Sequence, residues 1–198
     1  MRALAAAAAA ATATAAFVAP PAPGPKGLEG VPIPQAPVLA QPRALHLGQV
    51  VDGIKCEASE KVLFHVHAHL AIFVKGKQRQ VPFGIGIGPP LRGQNAAAGP
   101  FVVQGSCFAW LHTHTGDGII HIESPVKRSF TLGNFFDLWG EKLSAAQVGP
   151  AKGKVTVLVN GKVRGGNPRA VPLVAHELIQ LDVGTPLVGE QVVGFATL

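Results

Sequence analysis

From Phe64 to Leu70, within the run Lys61 to Lys75, apolar residues and histidines alternate without a break. Val62, Phe64, Val66, Ala68, Leu70, Ile72 and Val74 take one parity, and His65, His67 and His69 take the other. A period of two belongs to a β-strand, whose successive side chains leave opposite faces of the pleat. The run is therefore expected to be a strand with one buried apolar face and one face of imidazoles. A single strand cannot satisfy its own backbone, so a sheet must form around it. Composition agrees: 24 Gly and 17 Pro fit poorly in long helices, which excludes a helical bundle. With 47% AVILMFWYC and 14% charged residues, a largely disordered chain is excluded as well. The expected fold class is α+β, mostly β, with an antiparallel or mixed sheet, several hairpins and one short helix.

Lys75-Gly76-Lys77 supplies a turn into a second strand ending at Val81-Pro82, and the Gly, Pro and Ala rich stretch from 84 to 100 reads as a long loop. The segment from Cys107 to Glu123 is the most informative. Two strand-like runs flank Gly116-Asp117, and Asp117-Gly118 is a turn signal, so a hairpin is expected. If Thr115 pairs with Gly118, His112 falls opposite His121, His114 opposite Ile119 and Trp110 opposite Glu123. The pleat then puts His112, His114, His121 and Glu123 on one face. Opposed Cβ atoms lie roughly 4.5–5.5 Å apart and diagonal ones about 7–8 Å, separations that imidazoles span through one metal ion. Among His65, His67 and His69, neighbours are about 6.6 Å apart and the outer two roughly 13 Å, so at most two join one centre. The economical arrangement docks their strand beside the hairpin.

A strand histidine is more often a satisfied polar side chain than a ligand, and repeated His-x-His also suits a solvated or pH-sensitive face. Against that, six of the 8 His fall in these phased strands. The candidate ligands are His65, His67, His69, His112, His114 and His121, with Glu123 as a further ligand or as a partner to one. Nitrogen donors without thiolates suit copper or zinc, and a single ion is expected. His46 and His176 stand alone and are read as solvated residues. Cys56 and Cys107, an even pair ahead of the His-bearing strands, are expected to form a disulfide closing a loop of about fifty residues.

Arg2 followed by the small, apolar run Ala3 to Ala19 reads as a signal peptide over residues 1–19, or as a retained N-terminal anchor. No second apolar run reaches membrane-span length. The chain is therefore expected to be exported, to periplasm or extracellular space, which slightly favours copper. Residues 20–49, dense in Pro, read as an extended linker, leaving 50–198 as a single His-rich, β-dominated domain. Leu132, Phe135, Phe136, Trp139 and Leu143 recur at helical spacing, with Thr131 as N-cap and Gly140 as stop. Val155, Val157 and Val159 alternate into Asn160-Gly161, a hairpin signal, and 178–183 forms a last strand.

The order strand, strand, helix, Val159-Asn160-Gly161-Lys162, Val171-Pro172-Leu173 and a final Ile179-Gln180-Leu181 strand resembles a β-grasp domain, the fold of ubiquitin-like sulfur carriers, over about 119–183. The chain ends without the Gly-Gly tail of those carriers, so their chemistry is not implied. The Trp110-Leu111-His112-Thr113-His114 and Gly118-Ile119-Ile120-His121-Ile122-Glu123 strings, with the His-x-His-x-His strand, are similar to those of exported bacterial proteins of unassigned function. That resemblance implies a family and no activity.

A net charge of +6 invites nucleic acid, but the 17 basic residues are scattered and not interleaved with aromatics, so nucleic-acid binding is not expected. Three classes of function remain. The first is a protein that stores, delivers or senses copper or zinc. The second is a mononuclear metalloenzyme, either a copper oxidoreductase or a zinc hydrolase, with Glu123 or Asp117 handling protons. The third is an extracellular binding module with a pH-responsive His face. The metal ion is the one partner the sequence names; protein partners are not indicated.

Overall fold

The computed structural model describes residues 16–195 and 198. The signal segment expected over residues 1–19 lies outside the described residues as far as residue 15. Ten elements build and support the site. In chain order they are β1 (Ile54–Glu57), β2 (Phe64–Val74), β3 (Lys77–Arg79), β4 (Cys107–Ala109), β5 (Leu111–His112), β6 (Ile119–Ser124), α1 (Leu132–Trp139), β7 (Val155–Val159), β8 (Lys162–Arg164) and β9 (Leu178–Val183). The architecture is mostly β, with one α-helix among the described residues, in agreement with the expected α+β class.

The main sheet has seven strands. Six follow the order β5-β6-β2-β9-β7-β8, and β3 pairs with the far end of β2. β2 and β9 run parallel, whereas the other pairs in this sheet are antiparallel. Parallel neighbours need a long crossover. Here that crossover carries nearly all the chain between β2 and β9, including α1.

The alternation in β2 sorts its side chains as the sequence requires. Ala68, Leu70 and Ile72 enter the main apolar core with Ile120 and Ile122 of β6, Val155 and Val157 of β7, and Ile179, Leu181 and Val183 of β9. Leu132, Phe135, Phe136 and Trp139 of α1 close that core. Thr131 caps the helix, with Asn134 completing a reciprocal capping box, and Gly140 ends it at φ 86°. The imidazoles of β2 stand on the opposite face of the sheet. Further along that face, Ala71 and Phe73 pack with Val188.

Cys56 and Cys107 form a disulfide that ties β1 to β4, the strand leading directly into β5. The two central residues of the β7–β8 hairpin, Asn160 and Gly161, both have positive φ, as the Asn-Gly signal requires. Gly118 has φ 88°, and a Cβ there would lie 2.4 Å from the Leu70 carbonyl oxygen, so the turn entering β6 demands glycine.

Several expectations are corrected. The strand begins at Phe64 rather than near Lys61, because Val62 and Leu63 are 61% and 86% exposed and have no core to enter. The stretch 84–100 is not wholly loop: it contributes the short strand Ile87–Gly88 and the hairpin Arg92–Ala96 with Gly99–Gln104. Residues 20–49 do not run free as a linker. Val31, Ile33, Leu39 and Leu45 are buried, and Leu39 N donates to Gln80 O. Proline blocks regular elements here without blocking burial, since Val, Ile and Leu are interspersed. Residues 119–183, where the sequence resembles a β-grasp domain, do not form a closed unit, because β2, the strand between β6 and β9, comes from outside that range. No helix among the described residues is long and apolar enough to cross a membrane.

Candidate metal centre

The β5–β6 hairpin pairs Leu111 with Ile122 and His112 with His121, the register that the turn count requires. β2 lies on the other side of β6, with His67 opposite His121, His65 opposite Glu123 and His69 opposite Ile119. Imidazoles from three adjacent strands thus share one face. Past His112 the two arms of the hairpin separate: Thr113 N donates to Ile85 O, and His114 O accepts from Val102 N. His114 therefore does not sit opposite Ile119. It folds back so that its Nε2 comes within 3.1 Å of His112 Nε2.

Two groups of ligand atoms result, each with all its members within 4.8 Å of one another: His65, His67, His121 and Glu123, and His112, His114, His121 and Glu123. In the first, His65 Nε2 lies 3.1 Å from His67 Nε2, and His67 Nε2 lies 3.1 Å from His121 Nδ1. Glu123 Oε1 is 3.0 Å from His65 Nε2 and 3.4 Å from His121 Nδ1. Donors bound at about 2.0–2.1 Å around a tetrahedral ion are separated by about 3.3–3.4 Å. The observed spacings come within a few tenths of an ångström of that shell.

Backbone carbonyls orient two of the rings. His112 Nδ1 donates to Ala109 O at 2.9 Å and His114 Nδ1 to Val102 O at 2.5 Å, which turns both Nε2 atoms toward the centre. His69 is the member that does not join. Its Nε2 faces Asp117 O at 3.0 Å, because the turn before β6 lies over it. His69 is thus corrected from candidate ligand to buried structural residue. His46 is exposed, and so is His176, whose ring stacks against Phe195.

Two carboxylates at the centre have no signature in the sequence. Glu60, just ahead of β2, places Oε1 3.4 Å from His114 Nε2 and 3.8 Å from His112 Nε2. Glu29, from the Pro-rich segment, reaches His121 Nε2 at 2.7 Å. Neither stands at a spacing relative to the histidines that local sequence periodicity encodes. Asp117 is 1% exposed; its Oδ1 accepts from Ile119 N, and its carboxyl hydrogen-bonds Glu29.

The electrostatics divide the rings. Burial lowers His67 and His69 to about 4, lowers His114, and holds His112 well below the ordinary histidine value. Burial opposes charge on His121 too, yet hydrogen bonds to Glu123 and Glu29, with their charges, outweigh it and raise this ring to about 9. Glu123 responds in kind: burial resists its ionisation, but His121 and the neighbouring imidazoles bring it down to about 2. Burial, then the charge of Glu29, pushes Asp117 up to about 8. In the ion-free protein at neutral pH, His121 is thus a cation between two carboxylates, and the other buried rings are neutral donors of lone pairs.

Most of the cluster is sealed, His112 and His121 being 0% and 6% exposed. Among the imidazoles of the cluster the side chain of His65, at 41% exposure, is the open one. Comparison with family models, with curated proteins and with solved structures gives no match for this chain.

Proposed function

We propose that the chain is an exported metal-binding protein that holds copper or zinc on its His-bearing sheet face, for storage, delivery or sensing. One observation carries the reading: His65, His67, His121 and Glu123 set three nitrogens and a carboxylate oxygen within 4.8 Å of one another, all but His65 buried. Donors of this type, without thiolates, match copper(II) and zinc. The Cys56–Cys107 disulfide suits an oxidising compartment, and periplasm or extracellular space follows from that together with the signal-like N-terminus. The His-rich strings support membership of the exported bacterial proteins they resemble.

A largely sealed cluster with one imidazole facing solvent suits holding and handing over an ion. His65 is that imidazole, and its exposure also favours a second reading, a metalloenzyme in which a coordination position opens to water or dioxygen.

Elemental analysis of the purified, untagged protein beside a His112→Ala, His121→Ala double variant tests the proposal. A stoichiometric ion in the parent that is lost in a folded variant is the expected result and names the metal. Equal binding of added copper or zinc by both proteins would overturn it and leave the His strands as a polar, pH-responsive face.

A further inference from the structure

Glu123 offers its two oxygens to different sets of donors. Oε1 belongs with His65, His67 and His121 Nδ1, as described. Oε2 is buried without a hydrogen-bond partner, and it faces His112 Nε2 at 4.0 Å. His112 Nε2, His114 Nε2 and Glu60 Oε1 in turn lie at mutual separations of 3.1, 3.4 and 3.8 Å.

The protons of this second set are accounted for. A carbonyl oxygen only accepts, so His112 and His114 each place a proton on Nδ1, against Ala109 O and Val102 O. In the neutral rings both Nε2 atoms then present bare lone pairs, 3.1 Å apart, with two carboxylate oxygens beside them. Such an arrangement is repulsive, and a cation at its centre turns every contact favourable.

Building on the metal-binding reading above, we infer that the centre holds two divalent ions, with the Glu123 carboxylate bridging them. The first lies among His65, His67, His121 and Glu123 Oε1, the second among His112, His114, Glu60 and Glu123 Oε2. Two-metal sites hold their ions about 3.5–4 Å apart, a span that one carboxylate bridges. The His121 ring lies 4.5 Å from those of both His67 and His114, which places it between the two positions. A single ion, as the sequence suggests, would leave one of the two sets of lone pairs unrelieved. Glu60, without a place in the sequence pattern, acquires the role of terminal ligand to the second ion. Its partial exposure makes that ion reachable from solvent.

The test uses the full chain, stripped with a chelator, reloaded with excess Zn²⁺, desalted and weighed by native mass spectrometry. Two zinc ions per chain are expected. A His65→Ala, His67→Ala variant should keep one, and a Glu60→Gln, His114→Ala variant should keep one. A single ion in the parent overturns the two-ion inference and leaves the metal-binding reading standing, whereas none overturns both. A variant that retains two ions overturns the assignment of its residues. Should either variant fail to fold, the parent loaded with two equivalents of Cu²⁺ gives an independent reading by electron paramagnetic resonance. A coupled pair with a half-field transition supports the bridge, and the spectrum of isolated ions overturns it.

Discussion

Burial and ion pairing pull the imidazoles of the centre in opposite directions, and the ion-free protein should record both in its pH dependence. His67 and His69 are lowered to about 4, and His112 and His114 are lowered as well, burial being the leading cause for all four. Between about 4 and 6.5, then, the unfolded chain binds more protons at these rings than the folded chain, and stability rises with pH. Asp117, raised to about 8, works against that rise throughout, and the raised carboxyls of Asp52, Glu60, Glu177 and Asp182 oppose it from the acid end. Above 6.5 the balance reverses. His121 keeps its proton in the folded state up to about 9 and loses it from the unfolded chain near 6.5, so stability falls as pH climbs through that window, with Asp117 adding to the fall. Chemical denaturation of chelator-treated protein should therefore find maximum stability near pH 6.5. A maximum above about pH 8 would show that the pairing of His121 with Glu29 and Glu123 does not hold in solution. Bound metal replaces the proton on His121, so the alkaline decline should flatten in the loaded protein.

Local sequence made some elements legible and left others hidden. The His112–His121 register follows from Asp117-Gly118 and a period of two, both local, and a slip of one residue would turn every imidazole into the core. Helix α1 was equally open, since Thr131, Gly140 and the aromatic spacing are all contiguous. The fold-back of His114 was not, because backbone bonds to Ile85 and Val102 draw that arm away from the turn. Glu29 and Glu60 were hidden for the same reason, as tertiary packing alone brings them to the rings. The disulfide belongs to this scale too. It fixes β1 against β4, and Glu57 of β1 accepts from Trp110 Nε1 just before β5. A Cys56→Ala, Cys107→Ala variant should lose up to about 4 kcal/mol of stability in urea unfolding, from a closed loop of about fifty residues. It should also bind metal more weakly, since the His112 backbone loses its anchor. Unchanged affinity would mean that the hairpin holds its own geometry.

For the molecule as a whole, sheet order was beyond the reach of one sequence, because β2 and β9 are distant partners whose pairing leaves no local trace. The Pro-rich segment is the larger lesson. Its composition spoke for a tether, while Val31, Ile33, Leu39 and Leu45 are buried and Glu29 is delivered to the histidine cluster. A chain starting at Val50 should accordingly melt at least about 5 °C lower than one starting at Ala16, since each of these side chains contributes roughly 1.5–3 kcal/mol when fully buried. Equal melting temperatures in differential scanning calorimetry would restore the tether reading.

The parallel pairing of β2 with β9 also orders events during synthesis. β2 leaves the ribosome well ahead of β9, with an apolar face and one edge prepared for a partner that follows only after the long crossover. Until β9 arrives, that edge has its backbone groups open to any other extended segment. Pairing across such a separation is slow to find. The nascent chain is therefore most vulnerable to aggregation in the interval before residues 178–183 emerge, and a holding chaperone would act on β2 in that interval.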